Sequence, residues 1–429
     1  MGALVAQAPR DNKTVRSAGR DTGVESTGHF RCRGAGKPGF SMPQSLESTG
    51  PMETPANPMI TFGSRVRTSP FFASTRRYGC KAYSIYNHMY MPLYYESPEA
   101  DYWRLVTDVT LWDVAAERQV AISGPDAARF LQYLTPRDLS RCTVGQCKYV
   151  LLTASDGGIV NDLLLLKLAE DHYWLSIADS DVLLWVKGVA LNAGFDVRIE
   201  EPDVSPLQVQ GPRSTETMVA VFGDWVAKLG LFRFEETELD GIPVVVSRTG
   251  WSGERGYEIF LRDGRYGDAL WERVMEAGRP FNIGLCGPSS IRRMEACLLS
   301  YGADISLETN PFEVNLGWLV DLDLPTDFIG KQSLTRIHGE GVTRRLVGVE
   351  LEGEPLSTPN ESPWTVLAGG NDVGRVTSCV YSPRLEKNIG LALVHIDHAE
   401  TGSRVTTASP SAEFPSVVVP TPFVPHKLK

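Results

Sequence analysis

Between Gln119 and Ile199 the chain leaves few architectures open. Gln119–Ser123, Cys147–Ala154, Leu163–Leu168, Tyr173–Ala178 and Phe195–Ile199 carry strand patterning. Turns at Asp156-Gly157-Gly158 and Glu170-Asp171 separate neighbouring strands. Two helices interrupt the series. Pro125–Leu134 places Ala127, Phe130, Leu131 and Leu134 three or four residues apart, and Ser180–Asn192 has Asp179 or Ser180 as an N-cap and Gly194 as its stop. Strand–strand–helix–strand is a piece of an α+β sandwich and argues against a doubly wound parallel sheet.

A similar unit follows. Val244–Arg248 and Glu258–Leu261 are expected as strands around a tight loop, with helices at Gly267–Ala277 and Ser289–Leu299. In the second helix Ile291, Met294 and Leu298 share a face. After about Gly341 the runs Val347–Leu351, Val373–Val380 and Ile389–His395 are β-rich, with Gly and Pro between them. The expected organisation is a two-lobed α+β region over residues 59–335 and an all-β barrel over 343–429. Residues 1–58 lack apolar periodicity and are rich in Gly, Pro, Ser, Thr and Arg. Such a segment cannot offset its ordering entropy. It reads as a disordered extension, vector-derived or misassigned, with Met59 as the start of the protein proper.

Charge and cysteine usage narrow the function. Lys and Arg total 42 against 52 Asp and Glu, a net −10, which argues against a general nucleic-acid or anionic-membrane binder. No apolar run approaches the roughly 18 residues of a membrane span. The seven cysteines are scattered without a C-x-x-C, and the seven histidines show no metal spacing. Reduced thiols in the cytoplasm, and no metal, are the expectation. There is no P-loop, no G-x-G-x-x-G opening a helix after a strand, no H-E-x-x-H and no G-x-S-x-G. Phosphoryl transfer, flavin or nicotinamide redox chemistry and serine hydrolysis lose their usual signatures.

Three stretches remain. Tyr86-Asn87-His88-Met89, with Tyr90, Tyr94 and Tyr95 close behind, crowds aromatic and amide groups into an expected loop that lines a site or plugs a core. Asn161-Asp162 heads the run Leu163–Leu166, so Asp162 either offers a carboxylate at a sheet rim or caps a turn. Arg248–Glu258 holds three glycines around Trp251 and ends in Glu258. That carboxylate suits a bidentate contact with a 2-aminopyrimidinone edge, or a salt bridge to a nearby arginine.

These stretches, in this order, resemble the tetrahydrofolate-dependent aminomethyltransferase family typified by the T-protein of the glycine cleavage system. Arg293-Met294-Glu295-Ala296, Tyr301-Gly302-Ala303-Asp304, Leu316-Gly317-Trp318, Phe328-Ile329-Gly330-Lys331 and Gly374-Arg375-Val376-Thr377-Ser378 extend the likeness over nearly all of residues 65–429. Tyr86–Met89, Trp112-Asp113-Val114, Glu117-Arg118-Gln119-Val120, Trp174–Asp181 and Gly250-Trp251-Ser252 are similar to the branch that demethylates sulfonium compounds such as dimethylsulfoniopropionate; the T-protein typically has Tyr in place of Trp251. Phe260 stands where that branch has tyrosine. Ser289 stands where the T-protein has a folate-holding arginine.

The resemblance implies a three-domain cloverleaf around a central folate channel, with tetrahydrofolate as methyl acceptor and a small methyl donor as substrate. It makes Glu258 the pterin holder and Asp162 the catalytic group beside the reactive nitrogens. Asn161 joins the cofactor-binding set, and Trp251 and Tyr86 lie near both pterin and donor. Trp251, Tyr86 and Trp112 are the candidate aromatic faces for a cationic donor. Alternatives are aminomethyl transfer from a lipoyl carrier protein and folate binding without turnover. The sequence leaves a homo-oligomer open.

Overall fold

The computed structural model describes residues 61–428. The expectations for residues 1–58 and for Met59 lie outside the described residues. Two sheets, a barrel and a hairpin carry the fold. The first sheet has six strands in the order Phe234–Leu239, Ile242–Ser247, Gly256–Leu261, Ser205–Gln210, Val109–Asp113 and Ile283–Leu285. All pairs are antiparallel except the last. The second sheet, fully antiparallel, runs Gln146–Thr153, Ile159–Ala169, His172–Ser176, Gln119–Ser123 and Arg198–Glu200. Residues 344–419 supply six strands that close into a barrel, which leaves no free sheet edge there. The α+β class with a C-terminal β-barrel is therefore the observed one.

Helices cover the outer faces. Ala127–Leu134 buries Ala127, Phe130, Leu131 and Leu134 against the second sheet, as its spacing predicts. Gly267–Gly278 buries Leu270, Trp271 and Val274 on the first. Between the sheets, Cys147, Leu166, Leu168 and Trp174 of the second meet Phe234, Val245 and Phe260 of the first. Backbone bonds from Cys147 N–H to Phe232 O and from Phe234 N–H to Gly145 O stitch the junction.

Three local expectations need correction. The second-sheet strand begins at Ile159, not Leu163, so Asp162 lies inside it and pairs with Leu151 instead of capping a turn. Helix Val182–Ala193 ends at left-handed Gly194 as expected, but neither Asp179 nor Ser180 caps its start. Asp179 Oδ1 accepts from Asn87 N–H, and Ser180 Oγ donates to Val160 O. Helix Ser290–Glu295 stops short because Cys297 turns left-handed at φ 53°. Bonds from Cys297 N–H to Met294 O and Leu298 N–H to Arg293 O complete a Schellman stop without glycine.

The aromatic stretch is a hairpin rather than a loop. Ala82–Tyr86 pairs with Met89–Tyr94, and Asn87 and His88 both take positive φ, the backbone of a two-residue I′ turn. Asn87 Nδ2 donates to Ala116 O, Ile177 O and Ala178 O. The hairpin tip is thereby fixed to the second sheet.

Candidate active site

The inter-sheet core runs out at a cavity. On strand Ile159–Ala169, Leu166 and Leu168 face the first sheet, and Asp162 precedes them on the same face. On strand Gly256–Leu261, Phe260 is in that core and Glu258 precedes it by two residues. Alternate residues share a face, so both strands pass from apolar to acidic at one rim. The cavity there measures about 320 Å³, and both carboxyls line it.

Glu258 is 4% exposed, its Oε1 accepts from Gln208 Nε2 at 2.8 Å, and its Oε2 accepts from Thr249 Oγ1. Gln208 is its cross-strand neighbour, which fixes that contact by register. Both partners are neutral, so the arginine salt bridge is not how this carboxylate is held. Burial pushes its pKa up, and the two hydrogen bonds pull it partly back.

Asp162 is held on one side only. Its Oδ2 accepts from Tyr149 OH at 2.8 Å, while its Oδ1 is buried without a partner. Burial raises the carboxyl to about 7, against the opposing Tyr149 bond. A buried acceptor left open in this way is costly unless a ligand completes it.

Trp251 projects from the glycine loop into the cavity wall. The loop is shaped around Gln210. Its Nε2 donates to Thr249 O and Tyr257 O, and its Oε1 accepts from Ser252 Oγ at 2.6 Å. A Cβ on Gly250 or Gly256 would come within 2.1 and 2.2 Å of that side chain, so both positions require glycine. Tyr86, the last residue before the hairpin turn, lines the same cavity.

Other expected residues lie elsewhere. Trp112 is fully buried among Tyr102, Leu105, Cys286 and Ile291, and its Nε1 donates to Thr110 Oγ1 at 2.7 Å. It is a core residue because helix Pro98–Thr107 covers its face of the sheet, and it offers no ring to a donor. Asn161 points away from Asp162, as alternation demands. Its Nδ2 donates to Ala178 O and Ser180 Oγ and its Oδ1 accepts from Ala178 N–H, so it positions backbone, and it is not among the residues that line the cavity. Phe260 is wholly in the inter-sheet core, with its ring 6.4 Å from Trp174. Ser289 Oγ caps helix Ser290–Glu295 by accepting from Arg292 N–H.

Four wall residues had no assigned role in the sequence. Tyr149 is an isolated aromatic on a strand, and Tyr301 opens a stretch that carries the family likeness. Arg293 belongs to a stretch that carries the family likeness, and its guanidinium donates to Asp304 Oδ2 at 2.6 Å and Ser378 Oγ at 2.8 Å. Glu117 sits on the link from the first sheet to the second. The available signal was the family likeness of Glu117-Arg118-Gln119-Val120, a stretch that was given no site role. Burial, then the Glu258 and Asp162 carboxyls, raise the Glu117 pKa well above the carboxylate range.

The arrangement can accept N–H donors at Glu258, receive a proton at Asp162 Oδ1 and hold an apolar or cationic group against Tyr86 and Trp251. The acceptor set fits a reduced pterin. A buried carboxylate without a cation suits the paired N–H groups of an aminopyrimidinone, and the orphaned Asp162 oxygen suits one more N–H.

Comparisons with known proteins give the family. Residues 71–324 match the family model of the GCVT N-terminal domain, and residues 344–425 match the glycine cleavage T-protein C-terminal barrel domain. The chain is 40% identical over 354 residues to dimethylsulfoniopropionate demethylase DmdA of Ruegeria pomeroyi, covering 82% of this chain and 96% of that one. It is 32% identical over 364 residues to an aminomethyltransferase of Geobacillus sp., covering 83% and 98%. In fold it is similar to the glycine cleavage system aminomethyltransferase T of Bartonella henselae, with a TM-score of 0.76 at 24% identity over 85% of this chain and 99% of that one.

Proposed function

Because the chain belongs to the glycine cleavage T-protein family and is a one-carbon transferase, we propose that it demethylates a sulfonium such as dimethylsulfoniopropionate. The products are 5-methyltetrahydrofolate and a thioether. One observation carries the choice of donor. The cavity holds Glu117, Asp162 and Glu258, while Arg293, its one basic wall residue among the described residues, is bonded to Asp304. Such a cavity favours a ligand that brings positive charge.

Tetrahydrofolate, when bound, supplies the nucleophilic N5. The residues supply place and charge. Glu258 accepts from the aminopyrimidinone edge and sets the ring's orientation. Asp162 Oδ1 faces the nitrogen and takes the proton that it sheds as the methyl arrives. Tyr86 and Trp251 offer ring faces to the onium, each worth about 0.5–2 kcal/mol. Holding carbon and nitrogen at about 3–3.5 Å supplies much of the rate, and the neutral thioether leaves without a general acid. The reading extends to a cytoplasmic enzyme, where thiols such as the free Cys142, Cys147 and Cys286 stay reduced.

Thermal-shift titration tests this. Tetrahydrofolate is expected to raise the melting temperature, and dimethylsulfoniopropionate to raise it further only when a folate is present. A response to folate alone, with aminomethyl transfer from a lipoyl carrier protein, would replace the reading by the T-protein activity. Folate binding without any donor response would make the protein a folate binder.

A further inference from the structure

Glu117 has no task in the scheme above, yet its carboxyl lines the same cavity. It reaches there from the link between strands Val109–Asp113 and Gln119–Ser123, which crosses from one sheet to the other. The backbone of that link is tied down. Glu117 N–H donates to Val114 O at 2.8 Å, and Glu117 O accepts from Gln119 Nε2 at 2.6 Å. The carboxyl itself is barely held. Its one hydrogen bond among the described residues is a long one, 3.5 Å from Gln208 Nε2, an amide group that also donates to Glu258 at 2.8 Å.

A partly buried carboxyl sharing a cavity with two others, with no cation against it, is costly to ionise, so it takes up its negative charge when a cation enters beside it. It is retained at a cavity whose other features call for a ligand: the orphaned Oδ1 of Asp162 and the rings of Tyr86 and Trp251. The pterin edge does not relieve it, because those N–H donors are neutral and Glu258 already takes them. A metal ion does not either. Among the described residues no three His, Cys, Asp or Glu are grouped to hold one. What remains is the charge on the methyl donor.

Resting on the function proposed above, we infer that Glu117 is the counter-charge to the onium centre of the donor and the residue that selects a cationic donor over a neutral one. Glu117 and Tyr86 line the same cavity, so carboxylate and ring face are both available to one onium group bound there. On transfer, the sulfonium sulfur keeps the S–C bonding pair and becomes a neutral thioether, while the nitrogen that bonds the methyl gains the positive charge and loses its proton to Asp162. The attraction of Glu117 for sulfur therefore ends with the reaction. Glu117 acts on donor binding and helps product thioether leave, and it contributes little to the chemical step.

The test uses the full chain with tetrahydrofolate present and two probes that differ by one methyl and one charge, dimethylsulfoniopropionate and 3-(methylthio)propionate. Wild type is expected to bind the sulfonium at least tenfold more tightly than the thioether. Glu117→Gln keeps size and polarity. It is expected to reduce that preference to about threefold or less and to raise the donor KM at least tenfold. The kcat and the affinity for tetrahydrofolate should stay within about threefold. If Glu117→Gln keeps the sulfonium preference, Glu117 is not the counter-charge, and the proposed function stands without it. If it weakens tetrahydrofolate instead, Glu117 belongs to the pterin grip and the inference is overturned. If wild type binds no sulfonium at all, the proposed donor and this role fall together. Glu117→Asp, which keeps the charge on a shorter arm, should recover part of the preference; no recovery in a folded variant would also count against the inference.

Discussion

Tyr149 OH donates to Asp162 Oδ2 at 2.8 Å and leaves Asp162 Oδ1 buried and unpaired in a residue that lines the cavity. One oxygen is thus fixed and the other is left without a partner. The tyrosine hydroxyl favours the ionised carboxylate, whereas burial favours the neutral one, and burial wins, with the pKa at about 7.

Activity should follow that ionisation. The proton acceptor must be charged, so kcat/KM is expected to rise through a limb centred near pH 7. Tyr149→Phe removes the bond that opposes burial. The limb should move to higher pH by about one unit, with an activity loss of about five- to tenfold at pH 7. A pH–rate profile that Tyr149→Phe leaves in place would separate the pair from the chemistry.

Asp162 should also cost stability. Its carboxyl holds a proton more tightly folded, at about 7, than unfolded, at about 4. Between those values the native state binds more protons than the unfolded chain, so this group's effect is to lower stability as pH rises, with the full loss present above about pH 7. Asp162→Asn removes the penalty. It is expected to lose at least about 100-fold in turnover and yet to melt about 2–4 °C higher than wild type at pH 8. The margin should shrink towards pH 4 in a calorimetric series.

Glu258→Gln should act on folate alone. Gln208 and Thr249 are neutral, so no stranded cation is left in the core. The lost charge-assisted bonds are worth about 1.5–3 kcal/mol, which predicts a roughly 10- to 100-fold weaker tetrahydrofolate affinity by calorimetric titration. Affinity within threefold of wild type would remove Glu258 from the pterin grip.

Two tryptophans should part company. Trp251 is on the cavity wall and Trp112 is in a sealed core. Trp251→Ala is expected to raise donor and folate KM at least fivefold with little change in melting temperature. Trp112→Ala should destabilise by about 3–5 kcal/mol and leave the KM values of the surviving folded fraction close to wild type. Denaturant curves and steady-state kinetics on the two variants check this.

The sequence made the antiparallel strands of the second sheet legible because apolar alternation and glycine turns mark them. It also made Asp162, Glu258, Tyr86 and Trp251 candidates, and the four line one cavity. Trp112 misled because an aromatic residue on a strand looks the same whether a helix or a ligand covers it. Asn161 misled because it adjoins Asp162 in sequence, and neighbours on a strand face opposite ways. Tyr149 carried no signal, and Glu117 stood in a stretch that bore the family likeness but showed no role. Their roles arise from pairing across strands and across sheets, which leaves no local spacing to read. The stop at Cys297 was hidden because a cysteine there takes the backbone conformation usually left to glycine.

Carbon-13 NMR with methyl-labelled dimethylsulfoniopropionate and tetrahydrofolate tests methyl transfer most directly. The label should move intact from sulfur to folate N5, one thioether appearing per methylated folate, and Asp162→Asn should abolish the transfer. Label that stays on sulfur with wild-type protein, while a charged lipoyl carrier yields ammonia and 5,10-methylenetetrahydrofolate, would contradict it.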